Sequence, residues 1–331
     1  MSSIMTNTAA LTALQSLNST NKNLEATQSR ISTGYKVSQA SDNAAYWSIA
    51  TTMRSDNQAM STVSDSLGLG ASKVDTAYTG MNSAITTINQ IQQKLTASYG
   101  QTDASKEKTQ VEIAALQKQL KAYADGATFS GTNMLSVNSG ATATTAADVK
   151  IVSAFNRSAT GAVSISTIDV NVESIKLYEA GTTATLAKGI LDTLRVGSTG
   201  TATLTASAPT LGAAAAGTDT YSVASLTIFA GGVAASDSQI AQQMTVVDAA
   251  LKDMTNAATK LGAAKSSIDL QKTFTSNLMD SIDRGIGQLV DADMNKESTR
   301  LQALQVQQQL GIQALSIANG SSQSILSLFR G

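Results

Sequence analysis

Residues 53–95 read MRSDNQAMSTVSDSLGLGASKVDTAYTGMNSAITTINQIQQKL. Within them Met53, Met60, Leu67, Val74, Met81, Ile88 and Leu95 fall at every seventh position. Such a repeat keeps one stripe of an α-helix turned toward a partner helix, so the row predicts coiled-coil-like packing. A second row runs Ile240, Val247, Met254, Leu261, Ile268, then a polar Thr275, then Ile282 and Leu289. The first helix, expected over residues 43–99, would be roughly 85 Å long at ~1.5 Å per residue. That is far longer than a compact domain needs.

Both ends of the chain share this texture. Residues 1–33 read as one amphipathic helix, with Leu17, Leu24 and Ile31 seven apart and Leu14, Asn21 and Gln28 as the companion seam. Gly34 ends it, and Ser41, Asp42 and Asn43 cap the next helix. Gly68 and Gly70 predict close backbone packing or a bend in the rod, because glycine weakens a helix interior. A shorter helix is expected over Lys106 to Tyr123, with Ile113, Leu116, Leu120 and Tyr123 on one face. The turn-rich FSGTNML of residues 129–135 closes this block.

The texture changes at residues 136–235, where Thr, Ser, Ala and Gly dominate. Alternation at Val163 and Ile165, at Ile168, Val170 and Val172, and at Leu226 and Ile228 predicts short strands; a disordered low-complexity segment is the competing reading. Ser236 and Gln239 then have capping-box spacing just before Ile240. Residues 292–330 carry two apolar stripes, one with Leu301, Leu304 and Leu315, the other with Val306, Leu310 and Ile317. Two stripes imply two buried faces. The fold class is therefore mainly α with a β-rich insert: a long antiparallel helical bundle built from both termini, carrying a variable β-containing outer domain. The division expected is 1–42 with 290–331 as terminal helices, 43–135 with 236–289 as a helical rod, and 136–235 as the outer domain.

Composition narrows the chemistry. The 331 residues contain no histidine and no cysteine, which removes disulfides, thiolate nucleophiles, Ser-His-Asp relays and most zinc sites. Charged residues make up 14% and net charge is -1, so neither nucleic acid nor an anionic membrane is expected as a partner. Few charges favour self-association. No apolar run is long enough for membrane insertion, and Met1 to Ala10 do not look like a cleavable secretory signal. Asp291, Asp293 and Asn295 imitate the start of a calcium loop, but Lys296 stands where that loop needs glycine and the distal glutamate is missing. Gly68-Leu69-Gly70 follows a helix and lacks the third glycine of a dinucleotide loop. No cofactor, metal or catalytic residue is expected, and self-assembly is the mechanism the pattern supports.

Two segments carry a family likeness. RISTGYKVSQASDNAA at residues 30–45 and ADMNKESTRLQALQVQQQLGIQALSIANGSSQSILSLFR at residues 292–330 resemble the N- and C-terminal signatures of bacterial flagellin. Tyr46-Trp47 resembles the alphaproteobacterial version. The resemblance implies a filament subunit that leaves the cell unfolded through the flagellar type III export channel and polymerises outside. It implies as partners further copies and sister flagellins, hook-associated junction and cap proteins, and an export chaperone on the C-terminal helix. Leu14, Leu17, Leu24, Ile31, Leu301, Leu304, Leu310, Leu315 and Leu328 are the expected assembly anchors. A hook–filament junction protein is the alternative within the family; a translocator or adhesin with coiled-coil ends, and an enzyme, are the more distant ones.

Family members are often read by a Toll-like innate immune receptor through a basic stretch of the long helix. Here Lys94 is kept, while Thr96 and Ala97 stand where an arginine and a glutamate are usual. Weak or absent signalling is expected in a receptor reporter assay; a potent response would contradict that expectation.

Overall fold

A computed structural model describes residues 7–139, 147–158, 160–181 and 189–328, with side chains described to residue 320. Five helices dominate: α1 (Thr8–Thr33), α2 (Ala44–Ser98), α3 (Asp103–Gly126), α4 (Asp237–Val290) and α5 (Met294–Leu328). The chain divides into two compact units, residues 1–59 with 278–331, and residues 60–277. Helices α2 and α4 contribute to both.

In the 60–277 unit, Leu67, Val74, Met81, Ile88 and Leu95 of α2 are buried in one cluster with Ile240, Val247, Met254, Leu261 and Ile268 of α4. Pairing of Asp75 with Lys265, and of Thr96 with Met244, makes the two helices antiparallel. Helix α3 turns back along α2: Lys94 meets Glu112 at 2.7 Å, while Gly80 lies against Ala127 and the Tyr123 carbonyl. Ile113 and Leu120 complete the core, with Leu116 partly buried beside them.

Short strands recur among the described residues between 128 and 234. β1 (Thr128–Phe129) and β2 (Thr132–Asn133) form a hairpin whose turn places both Ser130 and Gly131 at positive φ. β3 (Ser136–Val137) pairs in parallel with β6 (Tyr178–Glu179). β4 (Val149–Arg157) and β5 (Val163–Val170) make the one long hairpin among the described residues, with a bulge between Val152 and Ala154. β7 (Leu194–Val196) lies between β8 (Ala202–Thr203) and β9 (Thr220–Tyr221), and β10 (Phe229–Ala230) pairs with β11 (Val233–Ala234).

Two expectations change here, and a third, close packing at the glycines of α2, holds at one of the two. Leu226 and Ile228 are buried but belong to no strand. Helix side chains take the hydrogen bonds a neighbouring strand would supply: the Ile228 amide donates to Gln110 Oε1 at 2.6 Å, Gln117 donates to the Leu226 carbonyl, and Gln243 to that of Thr227. Val163 and Ile165 do lie in β5 but remain exposed, and Val172 sits in a single-turn 3₁₀ helix, not a strand. The glycines do not interrupt α2. Gly68 meets nothing, whereas a Cβ at Gly70 would lie 2.3 Å from Ile151 Cγ2, so the bare backbone at residue 70 is what seats β4 on the helix. The capping box at α4 forms: the Ser236 amide donates to Gln239 Oε1 at 3.0 Å, and the Gln239 amide to Ser236 Oγ at 3.4 Å.

Two neighbouring glycines thus call for opposite outcomes. Gly68→Ala should stabilise the chain by about 1 kcal/mol through helix propensity, whereas Gly70→Ala should destabilise it by about 1–3 kcal/mol through overpacking against buried Ile151. Thermal unfolding of the two variants checks the difference.

Candidate assembly surface

The unit of residues 1–59 and 278–331 is built around an antiparallel pair, α1 against α5. Asn7 ties its far end twice: its side chain caps α1 by accepting from the Ala10 amide and donates to the Ala318 carbonyl at 2.9 Å. Further along, Gln308 donates to Asn21 at 2.8 Å, and Arg30 faces Glu297 at 3.5 Å. Gly311 lets Leu17 come close, since a Cβ there would stand 3.1 Å from Leu17 Cδ1.

The seam of α1 is only half as expected. Leu17, Leu24 and Ile31 are partly buried, but their companions are Ala13, Thr20 and Thr27. Thr20 and Thr27 are nearly fully buried, and the Thr20 hydroxyl is satisfied by the Ser16 carbonyl within the same helix. Leu14, Asn21 and Gln28 face outward instead. A stripe at 13, 17, 20, 24, 27 and 31 has the alternating spacing of three and four that one partner helix can cover.

Helix α5 likewise turns one stripe to α1. Leu304 is buried, and Leu301 and Leu315 partly so. Among the described residues nothing covers the second stripe: Val306, Leu310 and Ile317 are 56%, 59% and 73% exposed, with Ile312 beside them at 54%. On α1, Leu11 and Leu14 are 56% and 44% exposed. Leu328 lies in α5, but its side chain falls outside those described. Large exposed apolar patches of this kind generally mark interaction surfaces.

The connections at the base of the pair are clasped together. Tyr35 and Asp291 form a β-bridge, the Lys36 amide and ammonium donate to the carbonyls of Val290 and Gln288, and the Ala292 amide donates to that of Gly34. Gly34 adopts φ 75° to end α1, and Asn43 caps α2 by accepting from the amides of Ala45 and Tyr46. Below the clasp, Val37 and Ala50 pack with Ile286 and Val290 in a small core that Met53, Ile282 and Leu289 flank. Asp293 caps α5, donating nothing and accepting from the amides of Asn295 and Lys296. That capping role, which the acidic pattern alone did not reveal, accounts for Asp293. Among the described residues no acidic cluster is arranged to hold a metal. In the other unit Lys94 is held by Glu112, with Thr96 and Ala97 exposed on the same helix.

Comparison with known proteins gives this arrangement its family. Residues 4–140 match the family model of the bacterial flagellin N-terminal helical region, and residues 244–329 that of the C-terminal helical region. The chain is 48% identical to Flagellin C of Rhizobium meliloti and 46% identical to the flagellin of Brucella melitensis, in each case over 100% of both chains. It is 43% identical to Flagellin A of Rhizobium meliloti, again over the full length of both. These relatives are alphaproteobacterial, as the Tyr46-Trp47 spelling implied.

Asp42 gives the clasp region a pH dependence. Its carboxylate accepts from the amides of Gln39 and Ser38, and those two bonds hold its pKa below the usual carboxylate value. A depressed folded pKa contributes stability above the ordinary value of about 3.9, lost as pH falls through the lower folded value. Protection factors of the Ser38 and Gln39 amides, measured against their intrinsic exchange rates at each pH, should therefore hold at neutral pH and fall only at strongly acid pH. Asp42→Ala should lower both protection factors already at neutral pH.

Proposed function

The chain belongs to the bacterial flagellin family and is a structural subunit of the flagellar filament, and from that premise we propose how its surfaces build the polymer. The α1–α5 pair is the inner assembly element. Leu17, Leu24, Ile31, Leu301, Leu304 and Leu315 zip the two helices together. Leu14 and Leu310, with the exposed residues beside them, turn outward to neighbouring copies. The observation that carries this reading is that one seam closes the pair while a second apolar row on the same helices stays in water.

Energetics favour coupling of folding to association. Two helices joined by a seam part-built of alanine and threonine bury little apolar surface, while ordering each residue costs about 1–2 kcal/mol of backbone entropy. Neighbours that cover the second row supply the missing burial. The contact is head-to-tail between different surfaces, which generates an open helical polymer. The rod rows from Met53 to Leu95 and from Ile240 to Ile268 are its stiff element, and slight register slides along them provide alternative subunit states.

The further partners follow from the same rows. Sister flagellins present matching stripes and copolymerise. Junction and cap proteins meet the first and last subunits. An export chaperone covers α5 from Leu301 to Leu328 before the chain leaves unfolded, and the finished filament is extracellular. The altered receptor stretch, with Lys94 engaged by Glu112, gives weak receptor signalling. No observation favours the junction-protein alternative.

Leu14→Ser with Leu310→Ser tests the outward row. At about 1.5 kcal/mol for each leucine, the critical concentration for seeded elongation should rise ~100-fold, read by sedimentation of polymer. An unchanged critical concentration would remove the outward row from the mechanism. Helicity of the 60–277 unit should stay unaltered.

A further inference from the structure

The seam between α1 and α5 repeats so regularly that its shape alone allows more than one alignment. On α5 it runs through Glu297, Leu301, Leu304, Gln308, Gly311 and Leu315, spaced alternately by four and three. Facing it, α1 offers Leu17, Leu24 and Ile31 seven apart, with Thr20 and Thr27 between them. Consider α1 moved by one heptad, roughly 10 Å at ~1.5 Å per residue, toward the far end of the pair. Leu24 then stands where Leu17 now meets Gly311, and Gln28 where Asn21 now meets Gln308. Leucine stays on glycine and amide on amide. Residues 34–43 are chain enough to span the shift. The clasp bonds it breaks are mainly main-chain groups at an exposed junction, which water replaces at small net cost.

One seam contact does not survive the move. Arg30 meets Glu297 at 3.5 Å, and Glu297 is only 8% exposed, its second carboxylate oxygen buried with no hydrogen-bond partner among the described residues. Glu297 is the one acid in the sequence of α5, while the other cation of α1, Lys22, lines the outward groove with Leu11 and Leu14. The slide sets Glu297 level with Val37, beyond the end of α1, and carries Arg30 onto buried Leu304. An acid stripped of its cation and a guanidinium pressed on an apolar side chain both oppose it. A slide the other way sets uncharged Asn23 against Glu297. We propose that the Arg30–Glu297 pair is the register key of the assembly element, selecting the one alignment in which the outward leucines of the two helices stand level. With Leu17 at Gly311, Leu14 lies level with the turn between Leu310 and Ile317. Moved by a heptad it passes beyond Ile317, and the outward apolar surface is split. A polar contact at a seam position that fixes register is the best-attested use of a buried charge. Arg30 and Glu297 are thus positioning residues, acting through the leucines they align. This inference rests on the filament reading above and adds what sets the shape of its contact surface.

The chain contains no cysteine, so engineered pairs report register without background. A Cβ at residue 311 would stand 3.9 Å from that of Leu17, within the separation of about 3.5–4.5 Å that a disulfide needs. Leu17→Cys with Gly311→Cys therefore reports the native alignment, and Leu24→Cys with Gly311→Cys the slid one. Each pair is oxidised in filaments grown on seeds, and the linked peptides are weighed after digestion. With Arg30 and Glu297 in place, the 24–311 link should form at less than about a tenth of the yield of the 17–311 link. Arg30→Leu with Glu297→Leu keeps the seam apolar but removes the key, and the 24–311 yield should rise at least about fivefold. Filaments of that variant that form only the 17–311 link, or lose both links alike as they would if the pair merely stabilised the helices, overturn the proposal and leave the filament reading intact. Should the leucine variant not elongate, Glu297→Gln carries the same test: it keeps the size and removes the charge. At least about threefold more 24–311 link is then expected, and native-only linking overturns the proposal. Failure of the native chain to elongate on seeds would instead sink the filament reading.

Discussion

A single helix can dry only one stripe against a single partner, and that limit governs the whole molecule. In the 60–277 unit the stripe is complete: from Leu67 to Leu95, and from Ile240 to Ile268, the seven-spaced side chains are withdrawn from water. Nothing polar competes within those rows, so the pairing fixes register, direction and stiffness together. The α1–α5 pair obeys the same limit with poorer material. Its seam alternates leucine and isoleucine with alanine and threonine, and the apolar groups left over face outward. One geometric rule therefore closes one part of the chain on itself and leaves apolar rows of another exposed.

The β-containing region shows how a segment can be ordered without large sheets. Its strands are mostly two or three residues long, so few backbone groups find partners in a ladder. Glutamines on the flanking helices make up the difference. Gln110, Gln117, Gln239 and Gln243 each reach from a helix to the backbone of a loop. Charged side chains act likewise: Lys106 binds the Ala235 carbonyl and Asp237, and Arg195 reaches Asp253 on α4 at 2.7 Å. Ser, Thr, Ala and Gly suit this design, because small side chains let loop backbone lie within reach of a helix.

The long rows were legible in sequence because period and burial coincide there. The caps at Asn43 and Ser236 were legible because their chemistry is local. The companion seam of α1 was not, since Ala13, Thr20 and Thr27 carry no hydrophobic signal while Leu14 does. What decides the matter is the facing helix, where Gly311 admits Leu17. Leu226 and Ile228 looked like a strand because alternation also arises in a loop whose backbone is held at Leu226, Thr227 and Ile228 by glutamines of the flanking helices. Gly68 and Gly70 are equivalent in a string of letters and differ only in whether Ile151 stands opposite. The exposed rows of α1 and α5 could be seen as stripes, but that one of them would stay uncovered depended on how many helices the fold places around them.

Gln239 is the feature with the widest reach. Its side chain accepts the Ser236 and Gly212 amides and donates to the Thr210 carbonyl, so one amide both starts α4 and fastens a loop laid down 27 residues earlier. The opening turn of that helix and the irregular stretch at residues 210–212 thus share a single hinge pin. Neither can loosen while the other holds, and the half of the rod that begins at Asp237 inherits its starting point from chain that has already been placed.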